Sequence, residues 1–271
     1  MSRIRGFSLA AVGAAAALGL TACSGGGSGS GTAQGTPVSP APAATATSPS
    51  PTATPTQGPA DGATPTPRPK PKKPEKLKAG DEGPEVEALQ RRLRDLGYWL
   101  GKPDGNFGEL TTQAVYALQK AAGIDRDGIV GRDTREALAD GERPKAKSDS
   151  GYVIEIDKEK QLLLVVDDGE IEQIFNTSTG SGEVYESEGQ VKIAGTPEGR
   201  FRVYRSVDGW DKSPLGRLYR PKYFNGGIAL HGYLSVPPYP ASHGCVRVSV
   251  PAMNWFWRDD RLERGTRVVV R

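Results

Sequence analysis

Sulfur and imidazole are scarce in this sequence, which holds two cysteines, two histidines and two methionines. Two cysteines cannot build the multi-bridge framework that small exported domains use in place of a core. Long apolar runs are missing as well. The run from Phe7 to Leu20 covers about 14 residues rich in Ala, Gly and Leu, too short for a stable membrane helix, which needs roughly 20. Aromatic residues are absent from residues 24 to 77, a stretch that contains twelve of the 22 prolines and cannot bury enough apolar surface to fold. A surplus of one charge is also missing. The formal net charge of +3 arises outside the foldable part: residues 78 to 271 carry 28 basic and 30 acidic side chains, a net of −2. That balance excludes the basic footprint of a nucleic-acid-binding protein.

Export is written at the N-terminus. Arg3 and Arg5 precede the apolar run, which gives a charged n-region and a short h-region; the arginines are not adjacent, which favours the general route over the twin-arginine one. Leu20-Thr21-Ala22-Cys23 follows directly and resembles the lipobox of bacterial lipoproteins. The resemblance implies a signal of residues 1–23, a lipid on Cys23, and a chain held at the outer face of the cytoplasmic membrane and reaching into the cell wall. Ordinary signal cleavage near Ala22 is the alternative. Residues 24–77 then read as a disordered Pro/Thr/Ala/Lys linker, stiffened toward polyproline II, with a reach of roughly 40 Å as a coil and up to about 165 Å when extended.

From Lys78 to Gly141 the period is helical. Pro84 opens a helix, Val86, Leu89, Leu93 and Leu96 share one face, and Gly97 closes it. A second helix carries Ala114, Val115 and Leu118 and stops at Gly123. The turn Asp104-Gly105-Asn106-Phe107-Gly108, with Thr111 and Ala114, recurs 23 residues later as Asp127-Gly128-Ile129-Val130-Gly131, with Thr134 and Ala137. Glycine-supported turns running into short helices account for the repeat without any ligand. The pattern over residues 80 to 98, ending in Leu96-Gly97-Tyr98, together with these turns, resembles the type 1 peptidoglycan-binding module. That resemblance implies a small three-helix domain over residues 78–141 that holds an attached enzyme on its polymer.

After a polar hinge around Glu142 to Ser150 the period changes to two. Segments Tyr152–Ile156, Gln161–Val166, Ile171–Thr177, Arg200–Val207 and Thr266–Val270 read as strands, and Pro251–Arg258 as a short helix that Ser249 can cap. Here lies the densest chemical signal in the chain: His231-Gly232-Tyr233, then Pro237-Pro238-Tyr239-Pro240, then Ser242-His243-Gly244-Cys245-Val246-Arg247. Both histidines of the sequence precede, within 14 residues, the cysteine that lies outside the lipobox. Three readings compete: a thiol nucleophile activated by an imidazole, a zinc held by His231, His243 and Cys245, and inert core residues. A metal would need His243 and Cys245, two apart on one segment, to converge. A lone thiol in an oxidising compartment is a liability unless it reacts, which favours the nucleophile and a site without metal or cofactor. On chemistry alone either histidine could be the base.

The spacing of His231 to Ser242-His243-Gly244-Cys245-Val246-Arg247 resembles the L,D-transpeptidase catalytic domain, also called the YkuD domain. Thr196-Pro197-Glu198-Gly199-Arg200-Phe201 and Gly226 to Gly232 resemble its upstream turn and its histidine-bearing strand. The resemblance covers residues 150–271 and implies a mainly-β fold, so that the whole chain reads as a three-helix module followed by a YkuD-like domain. It implies Cys245 as nucleophile and His231 as proton acceptor and donor, oriented by the carbonyl of Gly232. It further implies an oxyanion held by backbone amides of His243, Gly244 and Cys245, with glycine before the nucleophile so that backbone can approach substrate. Arg247, Ser242, Tyr223 and Phe224 are the expected substrate contacts, and the short proline-rich loop is expected to lie over the site. The activity implied is formation of 3→3 cross-links in peptidoglycan, through a thioester on a tetrapeptide stem with loss of D-alanine, and reaction with carbapenem-type β-lactams. Alternatives are an L,D-carboxypeptidase, another Cys/His wall peptidase, and a non-catalytic wall tether. The sequence gives no oligomeric state.

Overall fold

The computed structural model describes residues 76–258 and 261–271, so the signal segment, Cys23 and nearly all of the linker lie outside the described residues. Three helices come first: α1 (Pro84–Asp95), α2 (Glu109–Ala122) and α3 (Arg132–Asp140). The two repeated turns are held in the same way. Gln90 of α1 donates to Asp104 Oδ1 at 2.8 Å and to Thr111 Oγ1 at 2.9 Å; Gln119 of α2 donates to Asp127 Oδ1 at 2.8 Å and to Thr134 Oγ1 at 3.2 Å. Gly105 and Gly128 stand at φ of 76° and 73°, the left-handed region such turns require. The 23-residue repeat is therefore a repeat of glutamine-pinned turns.

Twelve strands and one helix follow among the described residues. In order they are β1 (Val153–Asp157), β2 (Leu162–Asp167), β3 (Glu170–Asn176), β4 (Val184–Ser187), β5 (Gln190–Ile193), β6 (Gly199–Arg202), β7 (Arg205–Ser206), β8 (Trp210–Ser213), β9 (Gly216–Asn225), β10 (Ile228–Tyr233), β11 (Val246–Ser249), α4 (Val250–Phe256) and β12 (Arg267–Val270). One sheet runs β3-β2-β1-β12-β6; a second runs β11-β10-β9-β7 with β8 on β9; β4 and β5 form a separate hairpin. Ser249 caps α4, accepting from Ala252 N at 3.3 Å. The expected single strand over 200–207 is two: backbone from β6 to β7 passes from the first sheet to the second.

The sheets enclose a core of Ile154, Ile156, Leu163, Val165, Phe224, Leu230, Val246 and Val248, closed by Met253 and Phe256 of α4. Strand β2 reads Leu-Leu-Leu-Val-Val because both of its faces are covered. Leu163 and Val165 enter the sheet core, whereas Leu162, Leu164 and Val166 join Ile174 in the core of the helical module. The polar stretch after α3 is accordingly no free hinge. Glu142 O accepts from Tyr98 Oη at 2.7 Å, Arg143 donates to Ile171 O at 2.8 Å, and Lys147 N donates to buried Glu155 at 3.0 Å. The loop after α1 pairs with β3 through Trp99 N to Ile174 O at 2.9 Å and Ile174 N to Gly97 O at 2.8 Å. Lys120 of α2, fully buried, donates to Gln161 O at 2.8 Å, to Thr177 O at 3.0 Å and to the side chain of Asn176.

Candidate active site

Parallel pairing of β10 with β11 sets His231 opposite Arg247 and Leu230 opposite Val246. Cys245 is the residue just before β11, so the pairing carries its thiol to the strand that bears His231. Both line a cleft of about 610 Å³. The Cys245 thiol donates to Gly227 O at 3.8 Å. Burial pushes the thiol pKa up, while the Ala229 amide and the Arg247 cation pull it down. His231 is buried, and its Nδ1 lies 2.9 Å from Gly232 O. A carbonyl can only accept, so the neutral ring carries its proton on Nδ1 and leaves Nε2 as a base. Burial lowers the His231 pKa to about 4; the Gly232 hydrogen bond opposes this, and Arg247 adds to it. The resting pair near neutral pH is thus thiol and imidazole, both uncharged.

The turn before Cys245 is built from inside. Ser242 Oγ donates to Cys245 O at 2.5 Å and accepts from Gly244 N at 3.0 Å, so its hydroxyl closes the turn instead of reaching for substrate. The Gly244 amide is thereby occupied and is not a free oxyanion donor. Thr196 Oγ1 donates to Gly244 O at 2.6 Å, which gives the upstream Thr-Pro turn its role. Gly244 has φ of 136°, and a Cβ there would come within 2.8 Å of Gly195 O. Its glycine is required by this contact with the protein's own backbone, a different reason from the expected approach of substrate. Gly232 is likewise fixed by packing, since a Cβ would meet the Tyr219 ring at 2.8 Å and Met253 at 3.1 Å.

His243 lines the same cleft. Its exposed ring meets the edge of Tyr185 on the β4–β5 hairpin at 4.7 Å, and among the described residues no three His, Cys, Asp or Glu converge as a metal site. Of the expected aromatic contacts, Tyr223 lines the cleft; Phe224 points to the core and lies 5.6 Å from Phe201. These are neighbours on β9, and neighbouring residues on a strand face opposite ways. Arg247 lines the cleft beside His231 with its guanidinium 4.1 Å over the Tyr233 ring and bonded to Ala241 O at 3.0 Å. The proline-rich loop does not lie over the site: it turns onto α2, where Val236 O accepts from Gln113 at 3.0 Å. Hairpins β4–β5 and β8–β9 border the cleft instead.

The family model for the L,D-transpeptidase catalytic domain, YkuD, matches residues 151–270. A crystal structure of an L,D-transpeptidase from Xylanimonas cellulosilytica is 53% identical, with a TM-score of 0.72, over 74% of this chain and 100% of that one. The chain belongs to the L,D-transpeptidase family. Ahead of the L,D-transpeptidase domain, the peptidoglycan-binding domain model matches residues 82–138. Curated relatives share shorter stretches: the N-acetylmuramoyl-L-alanine amidase CwlL of Bacillus licheniformis is 49% identical over 78 residues, 28% of this chain and 22% of the amidase. A spore cortex-lytic enzyme of Oceanobacillus iheyensis is 32% identical over 125 residues, 45% of this chain and 44% of that enzyme. The chain therefore spans less than half the length of each of these two relatives.

Several residues of this L,D-transpeptidase site carry no local signal in the sequence. Arg205 lies 3.8 Å over the Tyr223 ring and pairs with Asp211 at 3.1 Å, while Tyr223 Oη donates to the same carboxylate at 2.8 Å. Burial and that hydrogen bond raise the Tyr223 phenol to about 12. Lys212 and Arg217 on the β8–β9 hairpin reach the cleft too. Charged residues at this spacing read as solvated loop until the hairpin is folded back on β9.

Proposed function

We propose that Cys245 is the acylated nucleophile of a two-step transfer on peptidoglycan stem peptides. His231 Nε2 takes the thiol proton as sulfur adds to the carbonyl of the third residue of a tetrapeptide stem. The oxyanion is held by backbone amides, and those of Cys245 and His243 are the ones we assign, because that of Gly244 is already bonded to Ser242. His231 then gives the proton to the amine of the departing D-alanine, and a thioester remains. A side-chain amine of a neighbouring third residue, deprotonated by His231, attacks the thioester, and the thiol is restored with a 3→3 cross-link formed. The carboxylate of the departing residue falls to Arg247. Water in the second step would make the same site an L,D-carboxypeptidase. A carbapenem-type β-lactam would acylate Cys245 in the same way. The reading also includes a lipid on Cys23 that tethers the protein at the membrane, with residues 78–141 holding the wall polymer.

The observation that carries this reading is the uncharged Cys245–His231 pair in one cleft, His231 on β10 and Cys245 at the entry to the adjoining β11, with the imidazole tautomer fixed by the Gly232 carbonyl. The test is incubation with a disaccharide tetrapeptide and mass analysis of products. A dimer lacking one D-alanine, absent with Cys245→Ala and His231→Ala, is expected. Cleavage at any other bond would overturn the reading.

A further inference from the structure

Charge in the cleft departs from charge in the chain. Residues 78 to 271 are net −2, yet the cleft is bordered by Lys192, Arg205, Lys212, Arg217 and Arg247 against Glu188. Two of the cations are neutralised: Lys192 pairs with Glu188 at 3.7 Å and Arg205 with Asp211 at 3.1 Å. Lys212, Arg217 and Arg247 have no acidic partner among the ion pairs of the described residues. Arg247 lies beside His231, and its buried Nε has no hydrogen-bond partner.

Lys212 and Arg217 are exposed direct partners in the β8–β9 register, so their side chains leave the same face of the hairpin. Like charges directly opposite one another destabilise a hairpin unless an anion comes between them. Arg217 is steadied with its guanidinium 4.9 Å over the Trp210 ring, and the hairpin tip is closed by Ser213 Oγ donating to Gly216 O at 2.9 Å. A repulsive pair held on an ordered tip at the mouth of the cleft is suited to one kind of ligand, an anionic group on a molecule already bound at Cys245.

We propose that Lys212 and Arg217 form a second carboxylate subsite, separate from Arg247, and that the substrate is a stem peptide whose side-chain carboxylates are free and not carboxamides. This rests on the reading that the cleft binds stem peptides. Arg247 stands next to the catalytic pair and takes the carboxylate one residue beyond the scissile carbonyl. The hairpin takes a carboxylate carried by the acyl part of the donor. The pair is exposed to water, so the selectivity is modest, about tenfold.

The test compares kcat/KM for two disaccharide tetrapeptides that differ only in whether the side-chain carboxylates of the second and third residues are free or amidated. The free form is expected to be preferred about tenfold, mainly through KM, with the preference shrinking as salt rises. The double variant Lys212→Gln/Arg217→Gln, matched to the parent in melting temperature, is expected to lose the preference, and Arg217→Lys to keep it. Equal kcat/KM for both peptides in the parent would overturn the subsite while leaving the transpeptidase reading intact. A preference that survives in the double variant would overturn the assignment to the hairpin. Turnover of neither peptide would overturn the transpeptidase reading and the subsite with it.

Discussion

At the scale of single residues, the site works by keeping charge out of its resting state. His231 sits at a pKa of about 4 because its imidazolium would be buried and would face Arg247. Burial also pushes the Cys245 thiol up. The imidazole is therefore unprotonated across the neutral range, and in the proposed mechanism proton transfer takes place only when sulfur attacks. For the profile of kcat/KM against pH, this predicts a level region around neutrality and an acid limb near 4, where His231 takes up its proton. Replacing Arg247 with Gln removes a repulsion of the imidazolium, so the His231 pKa rises and the limb moves to higher pH. An acid limb in the parent near the ordinary histidine value would contradict the account. Cys245, His231 and Gly232 are legible in the sequence because a thiol and an imidazole are rare and their spacing is distinctive. The roles of Ser242 and Gly244 are not, since what they touch, Cys245 O and Gly195, is set by the turn's own hydrogen bonds and by a loop 49 residues upstream of Gly244.

At the scale of elements, the segment 176–181 ties the helical module to the turn before Cys245. Thr177 Oγ1 donates to Arg247 O at 2.7 Å, Arg247 N donates to Ser178 O at 3.0 Å, and Ser242 N donates to Thr179 O at 2.9 Å. The start of this segment is held by Lys120 of α2. Burial, with Arg126 adding to it, presses the Lys120 pKa down to about 6, while three oxygen acceptors match the three N–H donors of an ammonium group. Replacing Lys120 with Met takes the Lys120 donor from buried Asn176 Oδ1 and Thr177 O, while Gln161 O keeps the Thr177 N–H at 3.2 Å, and is expected to lower unfolding free energy by about 2–4 kcal/mol in denaturant titration. A change within about 0.5 kcal/mol would contradict that role. Strands β1, β2 and β12 are legible because they are rich in Val, Ile and Leu and at least half of their residues are buried. Hairpin β8–β9 escapes pattern reading at its β8 arm, Trp210-Asp211-Lys212-Ser213, where exposed and half-buried positions alternate without an apolar face.

At the scale of the whole molecule, the sequence suggests an enzyme attached to a separable wall-binding module, and the structure joins them through two neighbouring strands, β2 and β3. Leu162, Leu164, Val166 and Ile174 belong to the catalytic sheet by backbone pairing and to the module by packing. Each buried aliphatic side chain is worth about 1.5–3 kcal/mol, so uncovering four of them removes an amount comparable to the stability of a whole domain. Residues 150–271 expressed alone are therefore expected to aggregate or to lack a cooperative melting transition, whereas residues 76–271 melt as one unit. A cooperative melt of the isolated catalytic part, near that of the longer piece, would contradict the shared core. The fused core is invisible to periodicity because an unbroken apolar strand reads the same whether a sheet, a helix or another domain covers its second face.

The central claim is that Cys245 is acylated with His231 as its base. Intact-mass measurement during turnover of a disaccharide tetrapeptide tests it most directly. The account predicts a transient mass gain equal to the donor less D-alanine, localised to Cys245 by peptide mapping, absent in Cys245→Ala and formed far more slowly in His231→Ala. Cross-linking or D-alanine release that proceeds in Cys245→Ala, with no covalent adduct at any stage, would contradict it.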